Sequence, residues 1–242
     1  MSASRPAFYA LAPGGWRDYV TLLHPPYTLW HLSYVAIGAG LAPVLHAGVL
    51  ALTLAAFALA LGVGAHALDE LNGRPLRTRI PDQALVALAA VTVAAAASIG
   101  IGVAIDRTLW LLAFVAFGSF IVIAYNLELF GGRFHSDTWF ALAWGAFPVL
   151  TAYFASAGRI APAAVAAAVF ASLLSVAQRR LLTQVRTVRR EVERVAGTLV
   201  YLDGRSESLD AESLTRTPET ALRALTAAVV TLAVAVVLVH VS

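Results

Sequence analysis

The sequence predicts an all-α, polytopic membrane bundle of about seven transmembrane helices with a cytoplasmic N-terminus, and three observations carry that prediction. Of the 242 residues, 60% are hydrophobic and only 13% are charged, against roughly 25% charged in a soluble domain; the mean hydropathy is +0.77. The apolar residues gather in runs long enough to cross the ~30 Å hydrocarbon layer, which takes about 17–25 helical residues. Arginine is distributed unevenly between alternate loops.

Taken in order, the apolar runs cover residues 27–45, 47–68, 84–105, 109–127, 139–157, 161–178 and 221–240. Ala and Gly recur inside them, as in 93–102, so that backbones can approach closely. An odd number of crossings leaves the termini on opposite sides. The chain has 17 Arg and no Lys; Arg107 and Arg159 fall on one side and the other 15 share the side of the N-terminus. By the positive-inside rule that side is cytoplasmic. The Arg-only, Ala-rich composition reads as GC-rich codon usage, and hence as a multi-pass protein of a prokaryotic cell membrane. The absence of Cys excludes disulfides, thiolate metal sites and a Cys nucleophile. The first 25 residues hold no apolar core of signal-peptide length, so insertion is expected to rely on the first membrane helix. One integral membrane domain is expected over 1–242.

The dense polar stretches all fall on the cytoplasmic side of this topology: 64–82 (GAHALDELNGRPLRTRIPD), 125–137 (YNLELFGGRFHSD) and the connection 179–218. His66, Asp69 and Glu70 sit at the end of a membrane helix, where polar groups line a cavity or a site more often than they face lipid. In the long connection Leu181, Val185, Val188, Val192 and Val195 recur every three or four residues, the spacing of an amphipathic helix. It is expected to continue the sixth helix beyond the bilayer toward Gly204, followed by a polar loop and a last helix beginning at Pro218. The basic run within it suits anionic lipid at the cytoplasmic leaflet. Nucleic acid is excluded as a partner, because Glu191 and Glu193 interrupt the basic run and no aromatic platform accompanies it. His24 and His31, seven residues apart, share a helix face. Two His with an Asp are donors for Zn²⁺ or Fe, but no H-x-x-x-H or H-E-x-x-H spacing accompanies them.

The segments AHALDELNGRPLRTRIP and RREVERVAGTL, with IAYN and ALAWG between them, resemble the UbiA superfamily of intramembrane prenyltransferases over about residues 22–225. That family carries N-D-x-x-D-x-x-x-D, an R-T element and a Pro after its second helix, and D-x-x-x-D-x-x-x-G with T-L after its sixth. Asp69 matches the second Asp of the first signature; Ala65, His66 and Gly73 replace its Asn, first Asp and third Asp. In the second signature Glu193 matches one Asp and Arg189 replaces the other. The family usually has nine helices, two more than are counted here.

The resemblance implies transfer of a prenyl group from an isoprenoid diphosphate to an apolar or aromatic acceptor at the cytoplasmic face, with membrane lipid around it. It implies Mg²⁺ on Asp69 and Glu193, with Glu70, Asn72 and Glu191 as substitute ligands, to neutralise the departing diphosphate. Arg77, Arg79 and Arg189 are expected to hold phosphate oxygens, which suit guanidinium forks. His66 is expected as acid, base or ligand, and Tyr125 and Asn126 as the border of the pocket. The competing expectation is a non-catalytic isoprenoid- or lipid-binding membrane protein that has lost the metal site, as Arg at position 189 suggests.

Overall fold

A computed structural model describes residues 5–240. Among the described residues there are eight helices and one hairpin: α1 (Trp16–Leu22), α2 (Pro25–Gly40), α3 (Ala47–Leu71), α4 (Asp82–Arg107), α5 (Leu111–Asn126), α6 (Asp137–Ala157), α7 (Pro162–Arg190), β1 (Gly197–Val200), β2 (Ser206–Leu209) and α8 (Ala211–Leu238). Five of them, α3, α4, α6, α7 and α8, are long and apolar enough to cross a membrane. At 16 residues each, α2 and α5 reach about 24 Å at 1.5 Å per residue. The apolar runs therefore fold as helices, while the first and fourth are shorter than the sequence suggested.

Start signals are local. Pro25 and Pro162 open α2 and α7, where a residue without an N–H leaves nothing unsatisfied. Ser136 accepts from the Trp139 N–H at the start of α6. In α8, Asp210 and Ser213 form a reciprocal capping box, which begins the helix seven residues ahead of Pro218. Pro218 thus lies within the helix and not at its start. Inside the helices, Thr53, Thr92 and Thr226 donate their hydroxyls to carbonyls one turn back, which satisfies these three in an apolar interior.

The expected extension of the sixth helix to Gly204 is also corrected: α7 stops at Arg190, and a two-stranded antiparallel hairpin follows. Its strand GTLV and its Asp203-Gly204 turn carry the β-propensity and turn chemistry that the three-to-four spacing of valines concealed. Among the described residues this hairpin is the only strand pair, and the other regular elements are helices.

Packing divides the bundle into two parts. In one, α2 lies between α6 and α8, and α7 packs on α6 and α8. Contacts there are backbone-close: a Cβ on Gly38 would stand 2.2 Å from the Val149 carbonyl oxygen, and one on Gly145 would stand 2.7 Å from that of Ala171. Only glycine allows such crossings. The other part, α3, α4 and α5, packs through larger side chains, including Leu61, Leu85, Ile121 and Val122. Two π-helical stretches, Ala58–Ala65 in α3 and Ala141–Ala146 in α6, bring these parts together. One end of the bundle gathers residues 5–15, the C-terminal ends of α3, α5 and α7, and the N-terminal ends of α4, α6 and α8. This Arg-rich end holds the candidate site.

Candidate functional site

The site begins with His66, which follows the π-helical stretch of α3 directly. Its Nδ1–H donates to the Gly62 carbonyl at 3.1 Å, fixing the tautomer and leaving Nε2 as a lone-pair acceptor. The ring stacks on that of His24, with centroids 4.0 Å apart and planes 10° from parallel. His24 holds a left-handed backbone conformation at φ 45° and its Nδ1 lies 2.9 Å from the Tyr9 hydroxyl. Its Nε2 is buried without a partner among the described residues. Burial, together with the charges of His66, Arg186 and Arg190, holds His24 well below the usual histidine range, so it is neutral. Burial likewise pushes the Tyr9 phenol up.

Two charged side chains complete the chamber. The charge of Arg186 acts on Tyr9, His24, Tyr27, His66 and Tyr125, and that of Asp69 acts on Tyr9, His66 and Tyr125. Both are half-buried. Neither side chain makes a hydrogen bond or ion pair among the described residues. A partly desolvated guanidinium without a bonded anion is a ready phosphate receptor, because nothing has to be displaced before a phosphate binds.

The other expected residues are distributed differently. Tyr125 lies at the chamber wall; its hydroxyl accepts from Arg179, and its ring lies 4.4 Å from that of Trp144. Arg179 also pairs with Asp137 at 2.5 Å. Asn126 is buried and donates to the Val122 carbonyl of its own helix at 2.7 Å, so it ends α5. Arg189 donates to Glu219 at 2.6 Å, tying α7 to α8. Arg77 and Arg79 are exposed on the 72–81 loop; the Arg79 backbone N–H donates to Asp18. Glu193 is exposed in the segment 191–196 between α7 and β1.

Glu70 is the counterpart of Asp69 on the next face of the helix. It is fully buried, and its carboxylate accepts from the Leu76 N–H, the Thr78 N–H and the Thr78 hydroxyl at 2.8, 2.8 and 2.9 Å. Its oxygens are spent on holding the loop. His31 is also buried, and its Nδ1–H donates to the Trp144 carbonyl at 2.9 Å.

These placements test the fit of a divalent cation. Mg²⁺ takes oxygen ligands in octahedral geometry. Asp69 is the one unengaged carboxylate of the chamber among the described residues. Glu70 is saturated, Glu193 stands outside, and no group of three or more His, Asp or Glu converges among the described residues. The donor set does not fit a carboxylate-held pair of metal ions.

Next to the chamber lies an apolar cavity of about 110 Å³ between α3, α4, α5 and α6, lined by small residues such as Ala60, Ala96 and Gly118 and by the larger Phe114, Trp144 and Phe147. Trp144 belongs to both spaces, since its ring lines the cavity and packs on Tyr125. Comparison with protein-family models, with curated proteins and with solved structures gave no match.

Sequence reasoning missed Arg186, Tyr9 and the role of His24. Nothing in the run Arg179–Arg190 distinguishes one arginine from another; only the helix register directs Arg186 to the chamber and Arg189 to Glu219.

Proposed function

We propose that this protein binds an isoprenoid diphosphate within the membrane, with the phosphorylated head in the His24–His66–Arg186 chamber and the tail in the adjacent apolar cavity, and that it does so without a metal ion. The observation that carries this reading is Arg186: an unpaired cation, half-buried at the mouth of a bundle whose interior holds an apolar cavity bordered by Trp144, the residue that packs on Tyr125. A phosphorylated amphiphile needs that combination. The topology accompanying the proposal has seven crossings in a prokaryotic cytoplasmic membrane. Of the 17 Arg, 15 lie on the side of the N-terminus, which supports a cytoplasm-facing chamber.

A second reading, prenyl transfer to an apolar or aromatic acceptor, is favoured by Asp69 and the free Nε2 of His66 in the same chamber. In that reaction the allylic C–O bond breaks and its electron pair leaves with the diphosphate, whose charge Arg186 and Arg190 offset. The acceptor atom bonds to the allylic carbon, and its proton passes to His66 Nε2.

Thermal unfolding in detergent with geranylgeranyl diphosphate, with and without Mg²⁺, tests the binding. At a ligand concentration near 100 times Kd the expected stabilisation is about 2.7 kcal/mol, equal in both conditions and abolished in Arg186→Gln. No stabilisation, or stabilisation unaffected by Arg186→Gln, would overturn the reading. Release of diphosphate on adding an acceptor, lost in His66→Gln, would establish transfer.

A further inference from the structure

Residues 5–15, ahead of α1, pack against the bundle. They cross the Arg-rich mouth of the bundle and are fastened to four helices. Arg190 of α7 donates to the Pro6 carbonyl at 3.3 Å. The Arg223 guanidinium of α8 lies 4.6 Å from the centre of the Phe8 ring, and both Phe8 and Tyr9 pack edge-on to Tyr27 of α2. The Leu11 N–H donates to the Thr21 hydroxyl of α1. Ala10, within the strap, is 1% exposed.

Two features separate the strap from a permanent plug. It ends in consecutive glycines, Gly14 at φ 120° and Gly15 at φ 62°, a left-handed pair that only glycine adopts without strain and that suits a hinge. A single buried side chain holds the hinge in this position: Asp18 accepts from the Gly14 N–H with one oxygen and from the Arg79 N–H with the other, both at 2.8 Å. The same carboxylate therefore latches the strap and the 72–81 loop.

The strap also occupies groups that a phosphorylated head requires. Pro6 takes the Arg190 guanidinium and Tyr9 takes His24 Nδ1, while Arg186 beside them stays unpaired. We infer that residues 5–15 form an autoinhibitory lid over the chamber, hinged at Gly14–Gly15 and latched by Asp18, which must swing aside before a phosphorylated amphiphile reaches Arg186 and which releases Arg190 and His24 as it does so. This inference rests on the binding reading given above. A site competent only when the lid is open has its apparent affinity reduced by the fraction of time spent open, and unlatching removes that reduction.

The chain contains no Cys, so Ala10→Cys provides one labelling position on the buried side of the strap itself. The experiment follows maleimide labelling of this variant in detergent with and without geranylgeranyl diphosphate. In parallel, the association rate of the same probe is measured for the otherwise unmodified chain, for Phe8→Ala and for Asp18→Asn, after thermal unfolding has shown that each is folded. The lid predicts faster labelling when the probe is bound, and association faster on the order of tenfold in both unlatched variants. Binding with equal rates in all three proteins, or labelling slowed by the probe, would overturn the lid and leave the binding reading intact. Absence of binding in all three would overturn the binding reading and the lid with it. Binding by the unlatched variants alone would support both.

Discussion

The two parts of the bundle solve the same packing problem differently. Where α2, α6, α7 and α8 meet, glycines bring backbones into contact and leave no space for a methyl group. Where α3, α4 and α5 face α6, side chains span wider gaps and an apolar cavity remains. In lipid no hydrophobic force pulls helices together, so close van der Waals contact has to hold them. The tight part supplies that contact and acts as a frame. The looser part keeps its apolar space without loss of the fold.

Adding carbon atoms to each part distinguishes them. Gly38→Ala places a methyl on the Val149 carbonyl, and the expected destabilisation is about 3 kcal/mol, read as a lowered midpoint of thermal unfolding in detergent. A neutral Gly38→Ala would erase the distinction. Next in size is the mouth of the looser part, which depends on one carboxylate. Glu70→Gln turns an amide donor toward N–H groups that need an acceptor, with an expected loss of about 2 kcal/mol and faster proteolysis within 72–81.

Acidification is expected to act at the mouth as well. His24 is neutral when folded and faces His66, Arg186, Arg190, Tyr9 and Tyr27. Unfolding exposes it to an ordinary pKa of about 6.5, so below that pH the unfolded chain takes up the extra proton. The contribution of His24 to stability is therefore fully present above about pH 6.5 and is lost as the pH is lowered, by at most about 1.4 kcal/mol per pH unit. His24→Asn should flatten that slope in a pH series of unfolding midpoints. The smallest effect belongs to the cavity. Ala60→Val fills vacant apolar space, and its stability should stay within about 0.5 kcal/mol of the parent, while the affinity for geranylgeranyl diphosphate falls.

Much of the fold was legible in the sequence, since apolar runs at membrane length and Pro or Ser at helix starts leave little choice. The hairpin was not, because Val192 and Val195 continue a helical spacing into a stretch whose strand propensity begins only at Thr198. The site was legible only in part. The pair Asp69 and Glu70 marks a functional helix end, but the sequence cannot say which carboxylate turns to the loop and which to the chamber. Glu70 has three donors and Asp69 has none, a difference made entirely by packing. Tyr9 was invisible for another reason: the residues around it carry no periodicity, and only the folded strap brings it onto His24.

The π-helical stretch Ala58–Ala65 decides that assignment of carboxylates. Successive residues of an α-helix turn by about 100°, and a π turn accommodates extra residues without unwinding the helix. Everything after it is therefore rotated relative to the half of α3 packed before it. Shortening this stretch by one residue to a regular helix would turn His66, Asp69 and Glu70 together by roughly that angle. The loop anchor would then lose its donors and Asp69 its place beside His66, without any of the three being substituted. The sequence of the site is thus written partly in the length of the alanine-, leucine- and glycine-rich segment ahead of it.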